Sequence, residues 1–426
     1  MALFGLALIL LALFGAPLFA VIAASAMMSF YLADIDLSVI AIEFYRLAEM
    51  PALLALPLFT FAGYLLGESN APKRLVQLTD ALLGWMPAGL AIVSLAACAF
   101  FTAFTGASGV TIIALGALLY PALKQAGYPD NFNLGLITTS GSLGLLFAPS
   151  LPLILYGIIA QQLNLTQQIT IDDMFLAGIL PGILMIVLLT GWSLWVNKSV
   201  RKPLSHFSWP KVAEALRASA VELPMPFLVL GGIYGGYFAI SEAAAVTVLY
   251  VIVAEVFIYR EVSLKKLPEV MCSSMVLVGA ILIILGVSLA STNYLIDADV
   301  PATLFETIKQ YVSSKLTFLM LLNIFLLILG AMLDIFSALV IMVPLLLPIA
   351  LGYGVDPVHL GIIFLANMQL GYFTPPVGMN LFIASHRFEK PVMQIYRATL
   401  PFFFILLFAV LIITYVPSLS LALLGR

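Results

Sequence analysis

Apolar stretches of bilayer-crossing length recur from one end of the chain to the other. They fall at roughly 3–32, 51–67, 86–105, 108–123, 132–163, 175–197, 223–240, 242–259, 270–291, 316–333, 336–352, 358–385 and 396–423. A membrane-spanning helix needs about 20 predominantly apolar residues, so this pattern predicts a polytopic all-α membrane protein. Glycine and proline interrupt several stretches, so the stretches are not a helix count. Connecting segments are short and none is of low complexity, which reads as a single integral domain over 1–426. The opening stretch, MALFGLALILLALFGAPLFA, has no basic residues before its apolar run and leads into further apolar sequence. It reads as retained membrane helix.

Composition agrees with the pattern. Of 426 residues, 63% are hydrophobic and only 9% charged, against about 25% charged in a soluble domain. Charge position says more than the net value of −3. Fourteen of the 18 basic residues lie in five segments: Lys73 and Arg74; Lys124; Lys198, Arg201, Lys202, Lys211 and Arg217; Arg260, Lys265 and Lys266; Arg387, Lys390 and Arg397. Acidic loops occupy other segments, around Asp34 and Asp36, Asp172 and Asp173, and Asp297 and Asp299. The basic segments are therefore expected on the cytoplasmic side. Residues 205–217 set Trp209, Val212 and Leu216 at helical spacing among charges, as an interfacial amphipathic helix would.

Some chemistry is excluded early. Cys98 and Cys272 both sit in apolar runs and read as small core residues. His206, His359 and His386 have no metal-ligand spacing. Walker A and HExxH patterns are missing, which argues against an ATP-driven pump and against an intramembrane metalloenzyme.

The chain repeats itself at one fixed offset. Pro121, Gly127, Gly144 and Pro149 recur as Pro348, Gly354, Gly371 and Pro376, with the same separation in every pair and no gap needed. Lys124 marks the first copy as facing the basic side, whereas the second has Asp356 and no basic residue at the matching loop. This predicts inverted repeats over about 51–165 and 270–390, joined by scaffold helices at 175–260. Inverted repeats are a recurrent architecture of secondary transporters, with the transport site at the repeat interface.

Each copy contains a broken helix, SGSLGLLFAPSLPLILYG at 140–157 and NMQLGYFTPPVGMNLFIAS at 367–385. Proline removes backbone donors and frees carbonyls, which survive at membrane depth only where protein, ion or water satisfies them. The oxygens of Ser140, Ser142, Ser150, Asn367, Thr374 and Asn380 join those carbonyls. Such a set suits a hard cation, and half-helix N-termini suit a carboxylate. Proline kinks that only shape helix packing are the alternative. Ahead of each broken helix lies a further interruption. FTAFTGASGVT at 101–111 holds Thr102, Thr105, Ser108 and Thr111, and GAMLDIFSA at 330–338 holds Asp334 and Ser337. Each reads as a hairpin tip turning at mid-depth, although two full spans fit the first as well. A charge at the bilayer centre costs about 2.5–3.5 kcal/mol, which marks Asp334 as functional unless it caps a helix near the interface. Ser241-Glu242 before AAAV reads as a helix start.

TGASGVT, GSLGLLFAPSLPLILYG, SEAAAV and NMQLGYFTPPVGMNLF together resemble the signature segments of the large membrane subunit of TRAP (tripartite ATP-independent periplasmic) transporters. The likeness runs along nearly the whole chain. Two departures stand out: Ala148 where the family usually has a proline, and Ala239-Ile240 in place of a Thr-Pro. The resemblance implies an ion-transporter-superfamily fold working as an elevator, and no cofactor beyond coupling sodium ions. It implies two partners, a small four-helix membrane subunit and a periplasmic substrate-binding protein, and an organic anion as substrate. Carried over residue by residue, sodium binding falls around Ser108, Gly144, Ala148, Pro149, Gly371, Thr374 and Met379, with Asp334 nearby. The substrate path runs between the tips, past Thr105, Thr111, Ser140, Ser142, Ser150, Ser337, Asn367, Pro375, Pro376 and Asn380. A self-sufficient sodium symporter of the divalent-anion type and an ion channel are the competing readings.

Overall fold

The computed structural model describes residues 8, 10, 11, 14, 16–86, 88–163, 169–197 and 207–425. His206, Lys198, Arg201 and Lys202 lie outside the described residues, as does most of 1–17. The described secondary structure is helical throughout. Among the described residues, 8 helices are long and apolar enough to cross a membrane. Shorter apolar helices at Gly89–Thr105, Pro224–Tyr234 and Pro357–Gly371 pack among them.

Sequence signals set the helix ends. The long span Ile171–Val196 starts at a capping box in which Thr170 and Asp173 satisfy each other's backbone N–H groups. The helix Ile240–Ile252 starts where Glu242 reaches back to accept from the Ala239 N–H at 2.9 Å, the structural role expected of it. The apolar run at 223–240 gives only the short helix Pro224–Tyr234, because the chain turns at Gly235 and Gly236, the latter at φ +70°. The interfacial segment forms the helix Trp209–Ala218, which buries Val212 and Ala215. Cys98 is buried, as expected of a core residue, but Cys272 is exposed, so only one of the two packs inside. Cys272 lies on the outward face of a long single span, where an apolar run meets lipid rather than protein.

Helix boundaries repeat at the spacing seen in the landmarks. Helix Ser108–Gln125 corresponds to Ile335–Gly352, and the starts at Asp130 and Pro357 match, all at that one offset. The two hairpins, Gly89–Thr105 with Ser108–Gln125 and Lys315–Met332 with Ile335–Gly352, turn at Gly106-Ala107 and Leu333-Asp334 respectively. The broken helices follow. The first is Asp130–Ser140 and Leu151–Gln162, with a short 3-10 turn at Leu143–Leu146 between them. The second is Pro357–Gly371 and Met379–Phe388. The Ala148–Pro149 and Pro375–Pro376 bonds, at matching positions, are both cis.

Glycine fixes the packing of each broken helix on its own hairpin. A Cβ on Gly144 would stand 2.2 Å from the Ala99 carbonyl oxygen and 2.4 Å from the Ala103 nitrogen. One on Gly371 would stand 2.4 Å from the Gly330 Cα. Ala103 and Gly330 are themselves equivalent positions of the two copies. Small residues at the same register let backbones meet in both copies.

Candidate transport site

The first hairpin turns because Gly106 adopts φ +63° with Leu151 packed against it, and Ala107 is extended before the helix resumes at Ser108. Thr102, one turn earlier, donates its hydroxyl to the Gly141 carbonyl at 2.9 Å. A hydroxyl has one proton, so Thr111 donates to Thr102 across the hairpin at 2.7 Å. These bonds tie the two arms of the tip to each other and to the first break.

Asn380 joins the two copies. Ser108 donates to its Oδ1 at 2.7 Å, and its Nδ2 donates to the Thr138 carbonyl at 3.3 Å. Its backbone N–H donates to the Tyr372 carbonyl at 2.9 Å. One fully buried amide thus holds the first hairpin tip, the first broken helix and the second break together.

At the second tip, Asp334 caps the helix Ile335–Gly352. Its Oδ1 accepts from the Phe336 and Ser337 N–H groups, both at 3.0 Å, and its Oδ2 from the Ser337 hydroxyl. The tip is stitched to the second break. Ile335 N–H donates to the Tyr372 hydroxyl at 3.0 Å, and Val377 and Gly378 N–H groups both donate to the Ala331 carbonyl at 3.1 Å. A capping carboxylate complements the positive end of the helix, so the charge is held locally without a basic partner.

The two breaks differ in exposure. Gly144, Pro149 and Ser150 are buried and Ala148 is half-buried, whereas Pro375, Pro376 and Met379 are exposed and Thr374 is half-buried. Most hydroxyls on the expected substrate path bond to carbonyls close in sequence: Ser140 to Ile137, Ser142 to Thr139, Ser150 to Leu145 and Thr374 to Leu370. Thr105, also buried, reaches the Ala107 carbonyl at 3.5 Å. Asn367 stands apart. Its amide donates to Asn323 Oδ1 at 2.6 Å, which also accepts from Thr414 at 3.1 Å, whereas the Asn380 side chain bonds to Ser108 and Thr138.

Sequence reasoning missed Thr138, Asn323 and Tyr372, because one more hydroxyl or amide in an apolar stretch is too frequent a signal to single out. It also missed a buried ion cluster. Arg74, which the sequence presents as a loop charge, is enclosed by Glu222, Glu255 and Glu261, with its Nε donating to Glu222 at 2.7 Å and the Tyr259 ring centroid 4.0 Å away. Glu255 is fully buried on a π-helical turn, Val253–Ile258. Outside the spans, burial pushes the Glu261 carboxyl up, but hydrogen bonds from Arg74 and from the Asn70 N–H outweigh this and hold it below the usual range.

A family model described as the tripartite ATP-independent periplasmic transporter, DctM component, matches residues 4–419. The chain belongs to that family. Among relatives, the C4-dicarboxylate TRAP transporter large permease protein DctM of Rhodobacter capsulatus is 32% identical over 92% of this chain and 91% of its own. The isethionate TRAP transporter permease protein DctMQ of Oleidesulfovibrio alaskensis is 33% identical over 89% of this chain. The match spans only 59% of that longer relative. The ectoine/5-hydroxyectoine TRAP transporter large permease protein UehC of Ruegeria pomeroyi is 30% identical over 98% of this chain and 96% of its own. The crystal structure of the Alcanivorax borkumensis YdaH transporter, described as having an unusual topology, superposes with a TM-score of 0.63. It covers 90% of this chain and 88% of its own at 13% identity, so the fold is shared. This DctM-family chain is a multi-pass bacterial inner-membrane protein, a transporter permease rather than an enzyme.

Proposed function

We propose that the chain is the large subunit of a TRAP transporter that takes up a small organic anion together with sodium. A periplasmic binding protein delivers the anion, and a small four-helix membrane subunit completes the permease. The coupling ions sit at the two breaks, the first around Ser108, Gly144, Ala148 and Pro149. The second lies around Gly371, Thr374 and Met379, beside Asp334. The two copies lie inverted in the bilayer, and the hairpins and broken helices move as one elevator body against the scaffold.

The observation that carries this reading is the bond between the Ser108 hydroxyl and the Asn380 amide, with Asn380 also on the Thr138 carbonyl. It unites a hairpin tip from one copy with the break of the other, as a single moving body requires. The driving force is adequate, because each sodium ion entering down 100 mV supplies about 2.3 kcal/mol before its concentration gradient is counted.

The test is reconstitution of the permease in proteoliposomes, with the binding protein outside and a panel of radiolabelled carboxylates. Saturable uptake that needs both an inward sodium gradient and the binding protein is expected. Uptake without the binding protein would favour a self-sufficient symporter. Flux that does not saturate would favour a channel.

A further inference from the structure

A polar cavity lies away from the breaks, at the acid-rich end of the bundle. Its volume is about 310 Å³, within the usual range for small-ligand sites. Helices Ser38–Ala48, Leu151–Gln162 and Leu267–Asp297 wall it, with Glu43, Arg46, Gln161, Gln162 and Asn293 as its polar residues. Helix Ser38–Ala48 begins beside the acidic loop at Asp34 and Asp36, and the other two end beside those at Asp172 and Asp297, which assigns the cavity to the non-cytoplasmic face.

The lining is set up to exchange partners. Arg46 donates to both oxygens of Glu43, at 2.9 and 3.2 Å. Glu43 is 6% exposed, whereas the Arg46 side chain is 59% exposed, so the carboxylate is fixed in the wall and the guanidinium can swing. The amides are underused. Among the described residues, Gln162 Oε1 is buried with no partner, and its Nε2 has only the Met50 sulfur at 3.2 Å, a weak acceptor. The Asn293 side chain makes no hydrogen bond among the described residues. A buried amide oxygen without a donor is unfavourable, so this wall is better satisfied with a ligand present.

We propose that this cavity is an entry subsite for a small organic acid that carries a hydroxyl or ammonium group beside its carboxylate. The ligand carboxylate pairs with Arg46, its donor group goes to Glu43 or to Gln162 Oε1, and Asn293 supplies a further amide. Gln162 closes the helix that begins at Leu151, just after the first break, about 17 Å away along its axis. An acid held here is thus one helix length from the transport site. This inference rests on the uptake reading above for its purpose, but not for its test.

Equilibrium dialysis of the purified, detergent-solubilised chain against matched radiolabelled acids tests it directly, with no gradient or partner. The pairs are malate with succinate, and lactate with propionate. At least one hydroxy acid should bind, and more tightly than its hydroxyl-free match. Arg46→Gln should weaken that binding about ten- to a hundredfold, the worth of one hydrogen bond to a charged group. Gln162→Leu should weaken it to a lesser degree, and Lys309→Gln, a charge loss elsewhere, should leave it unchanged. Binding of none of the four acids, or binding indifferent to Arg46, would overturn the subsite. Sodium-independent uptake by the wild type would instead overturn the transport reading and leave these dialysis results standing.

Discussion

Ser108 and Asn380 come from opposite copies of the repeat and meet through a 2.7 Å hydrogen bond. Both are buried, so the bond is shielded from water and neither side chain has solvent to fall back on. Removing the Ser108 hydroxyl leaves the Asn380 oxygen without a donor, which costs about 1–3 kcal/mol. Ser108→Ala should therefore lower the unfolding temperature of the purified protein. In the double variant with Asn380→Leu, nothing polar is stranded at that point, so the combined loss should be smaller than the summed single losses. Strictly additive losses in a thermal-unfolding cycle would mean that the two residues do not act as a pair.

Asp334 both caps a helix and carries a charge, and one substitution separates these roles. Asparagine caps about as well as aspartate, so Asp334→Asn should reach the membrane at wild-type level and unfold at a similar temperature. Its sodium-coupled uptake should fall about tenfold or more, if the carboxylate contributes one charge-assisted contact to the ion. Uptake rates measured against sodium concentration decide this. A curve matching the wild type would remove Asp334 from the coupling site.

The matched glycines give a sharper structural expectation. Gly144→Ala and Gly371→Ala each drive a methyl group into backbone atoms, at 2.2 and 2.4 Å, that cannot rotate away. Both should sharply reduce the yield of monodisperse protein in size-exclusion chromatography. Gly191→Ala and Gly279→Ala, with nothing within 4 Å of the new methyl, should be neutral or slightly stabilising, since alanine favours helix by about 1 kcal/mol.

The Arg74 cluster should make the protein acid-sensitive. The folded Glu261 carboxyl ionises at lower pH than the unfolded one, so its stabilising contribution is in place above the ordinary glutamate range, about 4.3. It is lost as pH falls through the lower, folded value. Glu261→Gln should lower the unfolding temperature at neutral pH and converge on the wild type as pH falls, which flattens this part of the pH dependence. Arg74→Met strands the Glu222 and Glu255 carboxylates in the interior. Breaking a buried pair in this way costs about 3–5 kcal/mol, so little folded protein should be recovered.

How legible the fold was depended on the kind of signal. Proline and glycine act through the backbone of their own residue, so the breaks at 140–157 and 367–385 and the turn at Gly106 could be placed from sequence. The same holds for Glu242, whose capping partner, Ala239, lies within one helical turn. Asp334 carried two readings because a cap and an ion ligand ask for the same residue type. Cys272 was misjudged because lipid and protein core select the same apolar neighbours. Arg74 was read as a loop charge because its partners, Glu222, Glu255 and Glu261, sit beyond the whole first repeat in the chain, where no local pattern links them to it.

The sequence by itself determined that the chain lives in a bilayer, where it breaks its helices and that it does so twice at one spacing. Each of these follows from transfer free energy or from backbone geometry, which act residue by residue. Only the tertiary structure decided which polar groups meet: Asn380 with Ser108 rather than with Asn367, the glycines against their own hairpins, three glutamates around one arginine. Pairing in a membrane interior is chosen by the packing of distant helices, and hydropathy, the same for every apolar face, does not record which face turns toward which.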